Sequence, residues 1–147
     1  MGNQAWELVT KRTPGWLADN DASTKATFQH RIAVSIGTAN EVKIPDGSGV
    51  TVSNTTLTER PVGPLANNPA AGKPAVLDEG GVVICMAGEA LATPNVRLTY
   101  DTQGRVIDDA PSAATKRFTV GWLRTTCAAA GELVSVDWDV QIETTET

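Results

Sequence analysis

The chain has 147 residues and a formal net charge of −5. A single domain of this length buries roughly two thirds of its unfolded surface, so it needs no metal or disulfide to fold. The acidic balance argues against nucleic acid as a partner, because such binding depends on clustered Lys and Arg, and no apolar stretch approaches the roughly 20 residues that would cross a membrane.

The first 27 residues differ in pattern from the rest of the chain. Two apolar islands, Trp6-Glu7-Leu8-Val9 and Trp16-Leu17, are too short and too far apart to form a core of their own. Such an arm packs across its own domain or docks onto another molecule, where indole rings bury a large area. No secretory signal is apparent near Trp6, so we expect synthesis in a cytoplasm. The pattern predicts an extended N-terminal arm over residues 1–27, whose candidate interface residues are Trp6, Leu8, Trp16 and Leu17.

Alternating apolar residues predict the first strand of the main domain at residues 28–36, half-buried, with Phe28 and His30 on its apolar face. His30 is the only histidine, and a catalytic role would need partners within reach. We therefore interpret it as a packed or rim residue. Short strands are predicted at 41–44 and 50–52, separated by a turn at Pro45-Asp46-Gly47.

A corner motif occurs twice in the sequence. The first copy is Val62-Gly63-Pro64-Leu65, followed by a small-residue loop, and the second is Val120-Gly121-Trp122-Leu123, followed by a similar loop. In each copy we expect Val and Leu to share a strand face, while Gly lets another backbone approach closely. Two unrelated hairpins of an all-β protein are the alternative interpretation. The residues that define the corners are Gly63, Asn68, Pro69, Gly72, Gly121 and Gly131.

The second half of the chain predicts further strands. Segments 75–77 and 81–86 flank an expected turn at Asp78-Glu79-Gly80, and the continuously apolar 81–86 is expected to be covered on both faces. A hairpin is predicted around the turn from Asp101 to Gly104. Phe118, Val120 and Trp122 are expected on one apolar face. The last strand has the clearest alternation, with an apolar face formed by Val134, Val136, Trp138, Val140 and Ile142.

These segments predict an all-β fold, a small β-barrel or β-sandwich of about eight to ten short strands. The expected β domain spans residues 28–143. It follows the arm at residues 1–27 and precedes a frayed tail at residues 144–147.

No pattern predicts catalysis, a cofactor or a metal site. Asp137 and Asp139 lie about 7 Å apart on a face that alternation assigns to solvent, and we interpret them as solvated charges. A nucleophilic triad would need a base beside a Ser or Cys nucleophile. The only histidine is His30, and the sequence contains no Gly-x-Ser-x-Gly motif. Cys85 and Cys127 match no zinc pattern; two free thiols are the expected state, and a disulfide is the alternative. The chain is therefore not expected to be an enzyme.

Several of these motifs resemble small capsid decoration proteins of tailed bacteriophages, often called cement proteins. The resemblance covers roughly residues 32–140. The chain departs from the family in having about 27 residues before Phe28 and in the Trp and Asp residues of its last strand. The segments that carry the resemblance are Pro61-Val62-Gly63, Leu65, Asn67-Asn68-Pro69-Ala70-Ala71-Gly72, Ala87-Gly88-Glu89-Ala90-Leu91-Ala92, the turn from Asp101 to Arg105, and the segment from Val120-Gly121 to Val136.

The resemblance implies a virion protein that is added to the outer surface of an assembled head and stabilises it by bridging coat subunits. It implies the major capsid protein as partner and a homotrimer as the oligomer, without nucleic acid, membrane or cofactor. The alternative is a β-sandwich module that binds carbohydrate or a host surface through exposed Trp side chains. The pattern places Trp122 and Trp138 on apolar strand faces, which favours the decoration protein.

Overall fold

A computed structural model of the chain describes residues 10–18, 29–35, 40–45, 50–52, 59–110 and 115–144. These residues form ten β-strands and no helix, which confirms the predicted all-β fold class. None of them lies in a helix that is long and apolar enough to cross a membrane. The strands are β1 (Thr10–Ala18), β2 (Ile32–Ser35), β3 (Glu41–Lys43), β4 (Val50–Val52), β5 (Arg60–Pro64), β6 (Pro74–Met86), β7 (Arg97–Tyr100), β8 (Val106–Asp108), β9 (Thr115–Leu123) and β10 (Leu133–Thr144).

The first unit of the fold is a closed circuit of β1, β2, β3, β5 and the first half of β6. β1 pairs in parallel with β3 and antiparallel with β6. β2 pairs antiparallel with both β3 and β5. A bridge between Leu65 and Leu77 then joins the end of β5 to β6 and closes the circuit.

The second unit repeats this circuit with the second half of β6, β7, β8, β9 and β10. β10 pairs with β6 and β9, and β7 pairs with β8 and β9. A parallel bridge between Ala87 and Val106 joins the end of β6 to β8. β4 pairs with β9 outside the circuit. The long strand β6 therefore belongs to both units, and the sheet curls on either side of it.

The two units match in backbone detail. His30 N donates to Leu65 O at 2.8 Å, and Asn95 N donates to Leu123 O at the same distance. His30 and Asn95 both have positive φ, 69° and 63°. The predicted corner motif is thus one part of a larger repeat that includes the turn leading into β2 and β7.

The two hydrophobic cores correspond in the same way. Five residues of the first core, Ala18, Val42, Leu65, Ala75 and Leu77, have counterparts in the second core, namely Ala87, Val106, Leu123, Val134 and Val136. All ten are apolar, although the sequences around them differ. The pairings and the core together describe a duplicated β unit.

The predicted half-buried strand at 28–36 was wrong in both extent and burial. β2 begins only at Ile32, because His30 lies in a turn with positive φ. Ile32, Ala33 and Val34 are all fully buried. Ala33 packs in the first core, whereas Ile32 and Val34 pack in the second. β2 is covered on both faces because it lies at the junction between the units. Phe28 and Ile36 lie outside the described residues.

The predicted turn at Asp78-Glu79-Gly80 was also wrong. β6 runs without interruption through this segment, and Asp78 and Gly80 pair with residues of β1. Pairing with β1 and then with β10 carries the strand through this segment, with a positive φ of 72° at Gly81. The prediction that residues 81–86 are covered on both faces fails as well, because Ile84 is exposed.

The apolar face of β9 changes phase at Gly121. Val120 and Leu123 are both fully buried, whereas Trp122 between them is exposed, against the prediction. Residues three apart face opposite sides of a regular strand, so the backbone departs from regular geometry here, and Gly121 has a φ of 154°. A register shift between Trp138 and Gln141 on β10 likewise accompanies the exposure of Ile142, which was predicted to be buried.

Candidate functional site

Two of the four predicted interface residues of the arm are described, and Trp6 and Leu8 lie outside the described residues. Trp16 and Leu17 belong to β1 and lie opposite Ala75 and Pro74 on β6. The ring of Trp16 is half-buried and packs against the first core, whereas Leu17 is exposed. Leu17 is therefore the residue of this pair whose side chain is open to a partner.

The two corner loops use equivalent side chains to hold the chain. Asn67 Oδ1 accepts a hydrogen bond from Val76 N at 3.0 Å in the first corner. Thr125 Oγ1 accepts one from Ser135 N at 2.8 Å in the second. Both loops thus satisfy the same backbone amide of the following strand, and the two corners are equivalent parts of the fold.

The predicted corner residues have structural roles. Gly72 and Gly131 have φ angles of 73° and 89°. The amide of Gly72 donates to the carbonyl oxygen of Ala18, and that of Gly131 donates to the carbonyl oxygen of Ala87. Asn68 Oδ1 accepts a hydrogen bond from Gln29 N at 2.6 Å, and Pro69 is buried. These contacts account for the glycine, asparagine and proline without a ligand.

The outer face is the solvent side of the second unit at β6, β10 and β9. Three large apolar side chains lie there, with Ile84 39%, Trp122 45% and Leu133 50% exposed. Strand register places Met86 beside Leu133 and Ile84 beside Ser135. Sequence reasoning missed this surface because a run of apolar residues was read as buried on both sides. The members of the outer face are Val82, Ile84, Met86, Trp122, Leu133, Ser135 and Asp137.

Trp122 is stacked by an arginine. The guanidinium of Arg97 lies 5.0 Å from the centroid of the Trp122 ring. Arg97 Nε also donates to Thr119 Oγ1 at 2.9 Å, and Arg97 Nη1 pairs with Asp139 Oδ2 at 3.2 Å. One side of the exposed indole is therefore held against the protein, and its position is fixed by a cation–π contact.

A buried ion-pair network lies next to this arginine. Arg117 Nε donates to Asp109 Oδ1 at 2.6 Å, and Arg117 Nη2 donates to Asp109 Oδ2 at 2.8 Å and to Glu143 Oε2 at 3.2 Å. The hydrogen bond that Arg117 donates to Asp109 raises the pKa of Arg117. Every charged group in this network has an opposite partner, so the arrangement is suited to fixing strands rather than to proton transfer.

The predicted acidic face of β10 is ion-paired. Asp137 Oδ1 accepts from Arg124 Nη1 at 3.3 Å, and Asp139 pairs with Arg97. The described residues contain no group of three or more His, Cys, Asp or Glu side chains that could hold a metal ion. Each of the two carboxylates thus has its own cationic partner.

The two cysteines are free thiols, as predicted, and differ in burial. Cys85 is buried in the second core, and this burial raises the pKa of its thiol. Cys127 is half-buried, with its Sγ 3.5 Å from Glu89 O. His30 is half-buried in its turn, which is consistent with the predicted rim residue.

One feature suited to a ligand is the junction groove, a cavity of about 440 Å³ between the two units. Two indole rings, from β1 and β10, line it together with charged side chains from β5 and β6. Sequence reasoning missed it because its members come from distant strands. The residues that line the junction groove include Trp16, Arg60, Val62, Glu79, Trp138, Asp139 and Val140.

Trp138 was expected on the buried face of β10. It packs partly against the second core and also lines the junction groove. Together with the exposed Trp122, it weakens the argument by which the sequence pattern disfavoured a carbohydrate-binding module.

A scan against protein-family models and a search of curated protein sequences gave no significant match to the chain.

Proposed function

We propose that this protein is a head decoration protein, or cement protein, of a tailed bacteriophage. It would bind the outer surface of the assembled capsid through the major capsid protein and act as a structural component rather than an enzyme. The observation that carries the proposal is the outer face, an exposed apolar surface on rigid paired strands. The resemblance of the corner motifs to cement proteins supplies the identity of the partner.

The outer face has the physical properties of a docking surface. Single exposed apolar residues are ordinary on protein surfaces, but neighbouring ones mark an interaction site. Met86 and Leu133 are cross-strand partners, and Ile84 is next to them on β6. Because strand pairing holds the backbone beneath these side chains, little backbone entropy is lost when a partner covers them.

The first unit carries a matching pair at the equivalent position. Leu17 of β1 lies opposite Pro74 of β6, and both are exposed. The duplication therefore presents two apolar contacts on one rigid body. A molecule with two contacts can touch two neighbouring coat subunits at once, which is the arrangement that bridging requires.

Stabilisation of the shell would follow from mass action. A protein that binds only where coat subunits meet adds its binding free energy to the closed shell. Three copies around a three-fold position of the lattice, as a homotrimer, would multiply the contacts. The protein would be made in the host cytoplasm and would reside on the outside of the virion.

Co-sedimentation with empty phage heads that lack their own decoration protein tests this proposal. The wild-type protein is expected to saturate the heads at a fixed ratio to coat protein. The double variant Ile84→Ser with Leu133→Ser should bind at least tenfold more weakly, because it removes two apolar side chains of the outer face. It should remain folded, because these residues are already 39% and 50% exposed in the free protein.

The matched control is Ile142→Ser, which removes an apolar side chain that is 57% exposed but lies outside the outer face. It should bind heads like the wild type. Wild-type protein that ignores the heads would refute the decoration function. Equal binding by the outer-face variant would refute the assigned surface. A carbohydrate-binding function is supported by a different surface, the junction groove.

A further inference from the structure

We propose that the junction groove is a binding site for a neutral oligosaccharide. This activity is independent of shell binding, since the groove shares no residue with the exposed apolar members of the outer face. It is argued from the position of the groove, its side chains and its charge.

The groove lies where the two repeated units meet, and there the repeat breaks down. Arg60 and Phe118 each precede the Val of their corner motif by two residues. Glu79 and Trp138 are also equivalent. Glu79 follows Asp78, whose carbonyl lies against Gly63, and Trp138 follows Asp137, whose carbonyl lies against Gly121. In the cores equivalent positions keep apolar side chains, whereas beside the groove they differ in charge. The side chains that differ from their counterparts in this way, Arg60, Glu79 and Trp138, all line the groove.

The side chains that line the groove match the two surfaces of a sugar ring. A pyranose has apolar C–H faces, which stack on indoles, and an edge of hydroxyl groups, which exchange hydrogen bonds with charged side chains. Trp16 and Trp138 supply the indoles, and Arg60 and Glu79 supply a donor and an acceptor. Sites for small molecules commonly combine an apolar lining with a few such polar groups.

The two tryptophans are held in place before any ligand arrives. Trp16 packs on the first core and Trp138 on the second. Each ring is therefore fixed by its own unit, and the spacing between the rings is set by the junction. Preorganised aromatic surfaces bind with little loss of conformational entropy.

Charge favours a neutral ligand over an anionic one. Among the described residues, neither Arg60 nor Glu79 takes part in an ion pair. Asp139 is held by Arg97 and accepts a hydrogen bond from Gln141 Nε2 at 2.9 Å. The charge of Asp139 is thus offset by Arg97, and Glu79 offsets that of Arg60, so the groove has no excess positive charge to favour a phosphate, whereas hydroxyl groups can bond to either sign.

The shape indicates a chain of sugar units rather than a single ring. The groove's volume of about 440 Å³ is within the range of small-molecule sites, roughly 300–1,000 Å³. A second cavity of about 470 Å³ shares Arg60 and Val140 with it and continues past Phe118 to Ile142. An oligosaccharide could therefore lie along both cavities, with Arg60 between them.

The test is a titration of the purified, isotopically labelled protein, followed by NMR at the indole N–H signals of its four tryptophans. The probes are maltotriose, cellotriose and tri-N-acetylchitotriose. At least one of them is expected to shift the signals of Trp16 and Trp138 in a saturable way, while the signal of Trp122 stays in place.

Variants separate binding from folding. Arg60→Ala and Glu79→Gln alter groove side chains without ion partners among the described residues, so both should fold and bind the sugar at least tenfold more weakly. Arg124→Ala removes an exposed arginine outside the groove and should bind as the wild type does. The proposal is overturned if no probe shifts Trp16 and Trp138, or if Arg124→Ala weakens binding as much as Arg60→Ala. Neither result depends on phage heads, so shell binding is judged separately.

Discussion

Gly63 and Gly121 hold equivalent places in the two units, and each lies directly against a backbone carbonyl of the next strand. A Cβ atom on Gly63 would overlap the carbonyl oxygen of Asp78, and one on Gly121 would overlap that of Asp137. The absence of a side chain at these points lets β5 approach β6 and β9 approach β10. The repeated glycine of the corner motif therefore reflects a close approach of two backbones.

Replacing either glycine by alanine is expected to destabilise the protein by about 1–3 kcal/mol or more, because the added methyl group can fit only if a strand moves. The measurement is urea unfolding of Gly63→Ala and Gly121→Ala. Gly72→Ala is the control, since a Cβ there meets nothing within 4 Å and only the positive φ is strained. A control that costs more than the corner variants would contradict the close-approach argument.

Breaking the pair between Arg117 and Asp109 should be costly. Their side chains are only 7% and 5% exposed, so Asp109→Ala would leave a buried arginine without its bidentate partner. Because Glu143 still pairs with Arg117, we expect a loss of about 3 kcal/mol in the free energy of unfolding, the lower end of the range for breaking a buried pair. Arg124→Ala, which breaks the exposed pair with Asp137, should cost about 1 kcal/mol or less. Equal costs in urea unfolding would show that burial does not decide the strength of these pairs.

Stability should fall as the pH rises above about 8.5, where a thiol in the unfolded chain begins to ionise. Burial, followed by the charge of Asp78, raises the pKa of Cys85, and burial, followed by the charge of Glu59, raises that of Tyr100. The folded protein therefore keeps protons that the unfolded chain loses. Each group lowers the free energy of unfolding by up to about 1.4 kcal/mol per pH unit above its unfolded pKa.

The variant Cys85→Ala isolates the thiol. Its stability between pH 8.5 and 10 should decline less steeply than that of the wild type, because the tyrosine ionises only near pH 10 in the unfolded chain. Urea unfolding at several pH values measures both slopes. Identical slopes would mean that the thiol is not protected in the folded state.

The two units are expected to unfold together in one transition. β6 belongs to both circuits, and Ile32 of the first unit packs in the core of the second. Calorimetry should give a single peak whose calorimetric and van't Hoff enthalpies agree. Ile32→Ala should lower its midpoint, since a buried Ile→Ala change costs about 2–5 kcal/mol. Two separate peaks would show that each unit is stable by itself.

Much of the strand content followed from patterns along the chain. The alternation from Val134 to Val136 predicted the start of β10, and the turn from Asp101 to Gly104 predicted the hairpin of β7 and β8. Asp101 Oδ1 accepts from Gln103 N and Arg105 N, both at 2.9 Å, so the turn is held by its own side chain. This signal acts between residues close in sequence, whereas the turn predicted at Asp78-Glu79-Gly80 failed because strands distant in sequence, β1 and β10, pair along β6.

The candidate sites were largely missed. Trp122 was predicted to be buried, but the phase change at Gly121 turns it outward, and this change depends on the carbonyl of Asp137 across the strand pair. The junction groove joins Trp16 to Trp138, residues at opposite ends of the chain. No local pattern reports that two such residues share a cavity.

The sequence by itself determined that the chain is all-β, where several of its turns lie and that one corner is repeated, because side-chain alternation and turn chemistry are local properties. The tertiary structure decided which strand faces are covered. β2 is buried on both sides because a second unit packs against it, and Ile84 is exposed because nothing described covers β6 there. Burial depends on what packs against a strand, and that is set by residues far away along the chain.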